Sequence, residues 1–233
     1  MNNFERIEKG RKKLSFKLAR GLVKLLYPRP KYRFLGEGFG EGPFIFIANH
    51  SGSNTPTRVE CYFPKDFYMW GTYETTVGFK SLHKYLIHTY YHQKKKVPLL
   101  FASIIGTIFA PFAYMFFQEM RIIPTYTDHR FITTIKASMN VIKDGKAIVI
   151  YPEDSSDGYK EKIEKFYNGF LAIGEIAKKR GYDLPIFVSY YHKKQREFII
   201  DKPISYSALM EKYNNQDDAS NYLRERMNEL MNK

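Results

Sequence analysis

The sequence predicts an α/β domain: a mixed, largely parallel central sheet flanked by helices, with a basic N-terminal amphipathic helix and a hydrophobic, membrane-facing insertion. Three observations lead there. The runs 44–48 and 147–151 are unbroken stretches of β-branched, small apolar and aromatic residues, without the alternation of a half-exposed strand, as expected of strands covered on both faces. A strand at 121–125, an amphipathic helix at 131–143 (Ile132, Ile135, Met139, Ile142) ended by Asp144 and Gly145, and the run 147–151 have the order and spacing of a parallel crossover unit. Finally, 233 residues with 44% hydrophobic and 17% aromatic content suffice for a buried core, which excludes a disordered chain.

Residues 1–29 read as a membrane-associating helix and 30–233 as the α/β domain. Through Pro28 there are eight basic residues against Glu5 and Glu8, close to half of the net charge of +13. Among them Phe4, Ile7, Leu14, Leu18, Leu22, Leu25 and Leu26 recur every three to four residues until Pro28 and Pro30 stop the helix. Such a helix suits an anionic membrane surface, or else packs its apolar stripe on the domain and leaves its cations solvated. The opening residues hold no signal-peptide stretch, which predicts a chain that is not secreted. The lone Cys61 excludes a disulfide framework and a multi-thiolate metal site, and reads as a small core residue.

Residues 31–35 read as a short strand and 36–43 as a glycine-rich turn, after which 44–48 delivers Asn49 and His50 to a strand end. Thr55 and Pro56 read as a helix cap and first helical residue, so that His50 lies in a strand-to-helix turn. A strand follows at 66–70 and a helix at 79–93 with His83, His88 and His92; the His88/His92 spacing has no carboxylate or thiol beside it, and no metal is expected. Residues 97–117 carry no charge over 21 positions, long enough to cross a bilayer, and follow Lys94, Lys95 and Lys96, which suit a headgroup layer. Pro98, Gly106 and Pro111 divide that stretch into two shorter helical pieces, so a buried hairpin or a re-entrant or interfacial segment is expected at least as much as a span. Beyond 147–151 the sequence predicts a polar loop at 152–158, a helix at 163–179, a strand at 184–190, an edge pairing at 197–200 and a C-terminal helix at 219–233.

Two polar groups follow the buried runs: Asn49-His50-Ser51, and Pro152-Glu153-Asp154-Ser155-Ser156. Catalytic groups collect at the carboxyl ends of parallel strands. Together with Arg121-Ile122-Ile123-Pro124 and Leu184-Pro185-Ile186, their order resembles the glycerolipid acyltransferases, the group of lysophosphatidic acid and glycerol-3-phosphate acyltransferases, over roughly residues 34–203. The first motif of that family is Asn-His-x-Ser-x-x-Asp and its third is Phe-Pro-Glu-Gly-Thr-Arg. The resemblance implies acyl transfer from an acyl-CoA or acyl-carrier-protein thioester, a co-substrate rather than a bound cofactor, to a hydroxyl of a lysophospholipid or related acceptor. It assigns His50 as general base with Thr55 at the position of its carboxylate partner. It also implies acceptor binding by Glu153, Ser155 and Ser156, with Asn49 and Pro152 supporting the motifs. The departures fall on function: Thr55 replaces the Asp, Gly52 the serine, and Asp154, Ser155 and Ser156 the Gly-Thr-Arg. Arg121, Arg130, Lys160 and Lys162 are candidates for the absent arginine, and Glu60, Asp66 and Glu153 for the absent carboxylate.

The expected protein is a membrane-associated acyltransferase at the cytoplasmic face, its basic surface meeting an anionic phospholipid membrane, CoA phosphates or acidic carrier protein. The alternative, motivated by Thr55 and Ser156, is a relative without catalysis that binds lipid or acts as a scaffold. Nucleic acid is not an expected partner, because only charge favours it and no binding motif accompanies the charge.

Overall fold

The structure is a computed structural model describing residue 11 and residues 13–233; Phe4 and Ile7 of the expected N-terminal stripe lie outside the described residues. Helix α1 (Leu14–Leu26) leads into β1 (Lys31–Phe34), β2 (Ile45–Ala48), α2 (Asn54–Tyr62) and β3 (Phe67–Thr72). After a short turn, α3 (Phe79–Lys84) runs into a π-helix (Tyr85–Lys94), followed by α4 (Leu99–Phe117), β4 (Ile122–Thr125), α5 (Phe131–Lys143) and β5 (Ala147–Ile150). The chain ends with α6 (Leu171–Lys179), β6 (Pro185–His192), β7 (Glu197–Ile200), β8 (Ile204–Ser205), α7 (Tyr206–Lys212) and α8 (Gln216–Leu230).

These strands form one sheet in the order β1-β7-β6-β2-β5-β3-β4, with β8 added to β6. Pairing is parallel except at β6–β7 and β6–β8. The expected α/β class is therefore the observed one. Strands β2 and β5 are adjacent, central and buried at every position, which is why their sequences are continuously apolar. Their side chains alternate between two cores. Ile45, Ile47, Ile148 and Ile150 pack under α5, α6, α7 and α8, whereas Phe46, Ala48 and Val149 pack under α1, α2 and the end of α4.

Several local expectations are corrected. Residues 197–200 lie inside the sheet, between β1 and β6, and β1 takes the edge. The stretch read as a helix from 163 starts its helix only at Leu171, because Glu153 bridges Phe166 and the Asp154 amide donates to Lys165 O at 2.9 Å, holding 163–167 extended against the loop after β5. Thr55 is not the cap of α2, whose cap position is Ser53 and whose first helical residue is Asn54.

Residues 99–117 form one helix, not two pieces. Pro98 occupies its cap, where a missing N–H is harmless, and Pro111 is accommodated inside it. Gly106 is a contact point rather than a break: a Cβ there would sit 2.6 Å from Ile87 Cγ1, so its absence lets α4 press onto the π-helix. By length and composition this helix is apolar enough to cross a membrane, and only 22% of its apolar window is buried inside the protein.

Helix α1 turns Phe16, Ala19 and Val23 inward and leaves Leu14, Leu18, Leu22, Leu25 and Leu26 58–79% exposed. Its leucine stripe is thus not the packed face. Cations on it and just before it are packed instead: Arg11 pairs with Glu60, Lys13 at the cap position meets Glu119 at 3.0 Å, and Arg20 donates to the Glu60 and Cys61 carbonyls at the end of α2. A cation on the last carbonyls of a helix satisfies orphan acceptors and the helix dipole together. Cys61 is a buried free thiol in this layer.

Candidate functional site

Because β2 and β5 are parallel neighbours with Ile47 opposite Ile150, carrying the register three residues further sets His50 beside Glu153 at the carboxyl ends. The alternation that turns Phe46 and Ala48 toward α1 and α2 assigns His50 the same face, and likewise Tyr151 and Glu153 after Val149. Asn49 anchors the turn. Its Nδ2 donates to Tyr191 O at 3.3 Å and its Oδ1 accepts from the Tyr191 amide at 2.6 Å, extending the β2–β6 pairing by a side chain. Ser51 and Gly52 then adopt φ of 45° and 65°, which folds the Gly52 carbonyl back onto His50 Nδ1. The positive φ favours glycine at 52, where a Cβ would also displace the mobile end of Lys95, 2.7 Å away at Nζ.

A carbonyl only accepts, so the Gly52 contact puts the imidazole proton on Nδ1 and leaves a lone pair on Nε2. The ring is stacked on Tyr159 at 4.9 Å and lies 5.1 Å from the Tyr151 ring. Lys94 and Lys95 each place Nζ 5.5 Å from the Tyr159 ring centre, on the aromatic group that stacks with His50. Lys94 also donates to Ser155 Oγ at 2.8 Å. Burial, reinforced by the Lys94 charge, lowers the His50 pKa to about 4, so the imidazole is neutral at pH 7. Burial raises Glu153 to about 7, against the opposing pull of the His50 backbone amide and Lys94. Burial likewise lowers Lys94. Groups pushed toward neutrality at one strand-end cluster are a recurrent mark of working sites.

Two cavities adjoin this cluster. One, of about 260 Å³, has His50, Tyr151 and Tyr159 at one part of its wall and Met69, Gly71, Met120 and Ile122 at another; α1 supplies Val23, and α4 supplies Phe109, Phe112 and Phe116. It is mostly apolar and extends to residues of α4 that are themselves exposed on the surface. The other, of about 180 Å³, is polar and has Glu153 in its wall with Asp154, Asp157, Lys160, Glu164 and Lys165.

Of the expected site residues, His50, Asn49, Pro152, Glu153 and Ser155 are brought together. Thr55 is not the partner of His50: it is fully buried in α2, its hydroxyl has no hydrogen-bond partner, and Gly52 holds the ring nitrogen in its stead. Arg121 lies at the opposite edge of the sheet, just before β4, and bonds Asp66 at 3.1 Å, so it is not in the acceptor region. Arg130 is at the correct edge but is taken up by Asp128 and by the Tyr73 and Tyr126 rings. Ser156 is exposed, its amide on Asp154 and its carbonyl on Gln93. Lys160 pairs with Glu164. Glu60 is held by Arg11 and Asp66 by Arg121, so neither stands in for the missing carboxylate. Among the described residues no group of three or more His, Cys, Asp or Glu side chains is arranged to hold a metal ion.

Sequence reasoning missed Lys94, read as a headgroup anchor, and gave no role to Tyr151, read as the last residue of a strand and, in Tyr151-Pro152-Glu153, as the start of the third motif. The strand alternation that carries Val149 to one face was the available signal for Tyr151. For Lys94 there was none, because its approach depends on the π-helix and on α4 packing behind it.

No family model matches the chain, and no curated protein does. Among solved structures, it is similar to the crystal structure of the 1-acyl-sn-glycerophosphate (LPA) acyltransferase PlsC from Thermotoga maritima, with 13% identity, a TM-score of 0.49 and coverage of 93% of this chain and 78% of that one.

Proposed function

We propose that the protein transfers a fatty acyl group from an acyl-CoA or acyl-carrier-protein thioester to a hydroxyl of a lysophospholipid or related acceptor, working at the cytoplasmic face of a membrane. The observation that carries this reading is a neutral imidazole, fixed through Nδ1 by the Gly52 carbonyl, in the wall of a mostly apolar cavity that reaches α4. His50 Nε2 takes the proton of the acceptor hydroxyl, and the oxygen attacks the thioester carbonyl. The tetrahedral intermediate expels the thiolate, which takes the proton back from the imidazolium, leaving ester and free thiol. The cavity holds the acyl tail in line with that attack, and Glu153, in the wall of the polar cavity, bounds the polar approach.

The exposed leucines of α1 and the exposed Leu100, Phe101, Ile104 and Ile108 of α4 support membrane association, since contiguous apolar surface of this kind is unfavourable in water. A second reading, a lipid-binding protein without turnover, is favoured by one observation: the Nδ1 partner is a neutral carbonyl, which stabilises imidazolium less than a carboxylate does.

The test is acyl transfer by purified protein in mixed micelles, with a panel of acyl thioesters and lysolipid acceptors, for wild type and His50→Ala. The expected result is turnover that falls by about 10²–10⁴-fold in the variant. Turnover unaffected by the substitution overturns the assigned base. No turnover across the panel, with liposome binding intact, favours the second reading.

A further inference from the structure

Tyr151 carries a hydroxyl that nothing in the fold explains. The oxygen is buried and has no hydrogen-bond partner, whereas buried polar groups are nearly always paired. Its side chain lines the same apolar cavity as His50, with the two rings 5.1 Å apart. With Met69 opposite Val149 in the β3–β5 pairing, the register sets Gly71 next to Tyr151; Gly71 also lines the cavity, where a Cβ would sit 2.9 Å from Ile122 Cγ2. Phenylalanine fits the same apolar surroundings without leaving a polar atom unpaired, so the hydroxyl costs stability in the unliganded fold. Burial, with smaller contributions from Tyr32 and Glu60, holds its pKa well above 10, which keeps it an O–H donor at every working pH.

We propose that the Tyr151 hydroxyl donates a hydrogen bond to the carbonyl oxygen of the acyl group lodged in this cavity. The inference rests on the acyl-transfer reading and adds a catalytic residue to it. As the acceptor oxygen bonds to the carbonyl carbon, the π pair moves onto the carbonyl oxygen, and the Tyr151 O–H bond is aimed at that growing negative charge. Tyr151 keeps its proton throughout; the only proton in transit passes from acceptor to His50 to departing thiolate. A fixed donor in a mostly apolar cavity acts most strongly where charge develops, so its effect falls on turnover more than on substrate affinity.

The test compares wild type with Tyr151→Phe in three measurements. The first is steady-state acyl transfer. The second is binding of two non-reactive acyl-CoA analogues, a ketone with methylene in place of sulfur and a thioether without the carbonyl. The third is the thermal unfolding midpoint. The expected result is a kcat lowered about 10²-fold with KM little changed, ketone affinity lowered about 5–10-fold, thioether affinity unchanged, and an unfolding midpoint equal or higher.

Retention of kcat and ketone affinity in Tyr151→Phe overturns the proposal and leaves acyl transfer standing. An equal loss for both analogues overturns it as well, because the ring then only shapes the cavity. If wild type shows no turnover but the ketone loss persists, the transfer reading fails while the carbonyl contact stands. If neither analogue binds, both fail.

Discussion

Glu153 and His50 are shifted in opposite directions, and the pH dependence of stability separates them. The perturbation is Glu153→Gln, which keeps shape and removes the titration. In the fold Glu153 is raised from 4.5 to about 7, chiefly by burial. A folded pKa above the unfolded one means that its contribution is fully present below pH 4.5 and is lost as pH rises toward 7, because the unfolded chain releases the proton first. The shift corresponds to about 3 kcal/mol at 1.36 kcal/mol per pH unit. His50 acts the other way: lowered from 6.5 to about 4, it adds stability as pH rises through that interval. Wild type is therefore expected to be nearly flat from pH 4.5 to 7 as far as these two groups decide. Denaturant unfolding in detergent micelles at half-unit steps from pH 4.5 to 8 checks this. The stability of Glu153→Gln relative to wild type should climb by about 3 kcal/mol over the range, and that of His50→Gln should fall by a similar amount. A Glu153→Gln difference flat to within about 0.5 kcal/mol would refute the assignment of Glu153 as a desolvated carboxyl.

Three further outcomes follow from single contacts. Thr55→Val should leave acyl transfer intact and raise stability by up to about 1 kcal/mol, since it removes a buried hydroxyl without a partner; denaturant unfolding reads the stability. Asn49→Ala should cost about 2–3 kcal/mol, because the Tyr191 amide loses its acceptor and the β2–β6 extension opens, and hydrogen exchange at Tyr191 should quicken. Gly106→Ala should destabilise by about 1–3 kcal/mol through the Ile87 contact, with a lowered unfolding midpoint as the readout.

How much of this was legible depends on which forces set each feature. Burial on both faces is written directly into composition, so the runs at 44–48 and 147–151 marked β2 and β5, and their ends marked His50 and Glu153. Features decided by packing partners distant in sequence were not legible. Gly106 and Pro111 have the look of breaks, yet α4 continues through both, and Gly106 is where Ile87 packs in the place a Cβ would take. Ile163, Phe166 and Phe170 have helical spacing, but a bridge to Glu153 and an Asp154–Lys165 bond hold the first part extended. Arg121 was one residue from a strand and chemically suited to an anion; only the direction of β4 shows that it faces the amino edge and Asp66.

The cations around His50 bear on what Thr55 in place of an aspartate means. Lys94 and Lys95 disfavour imidazolium, and Gly52 gives it only a dipole, so the ring is a weak base that is always unprotonated near neutrality. Proton transfer from an acceptor, however, creates a negative charge together with the imidazolium. The same two ammoniums stabilise that negative charge, on alkoxide or tetrahedral oxygen, the half-buried Lys94 more than the exposed Lys95, which water screens. On the acyl-transfer reading the penalty on the base and the gain on the oxyanion arise from one source and oppose each other. A carboxylate at position 55, fully buried inside α2, would add its own desolvation cost while Gly52 holds Nδ1 as the turn now stands. Restoring an aspartate alone is therefore the wrong repair for this turn: Gly52 must first release the ring.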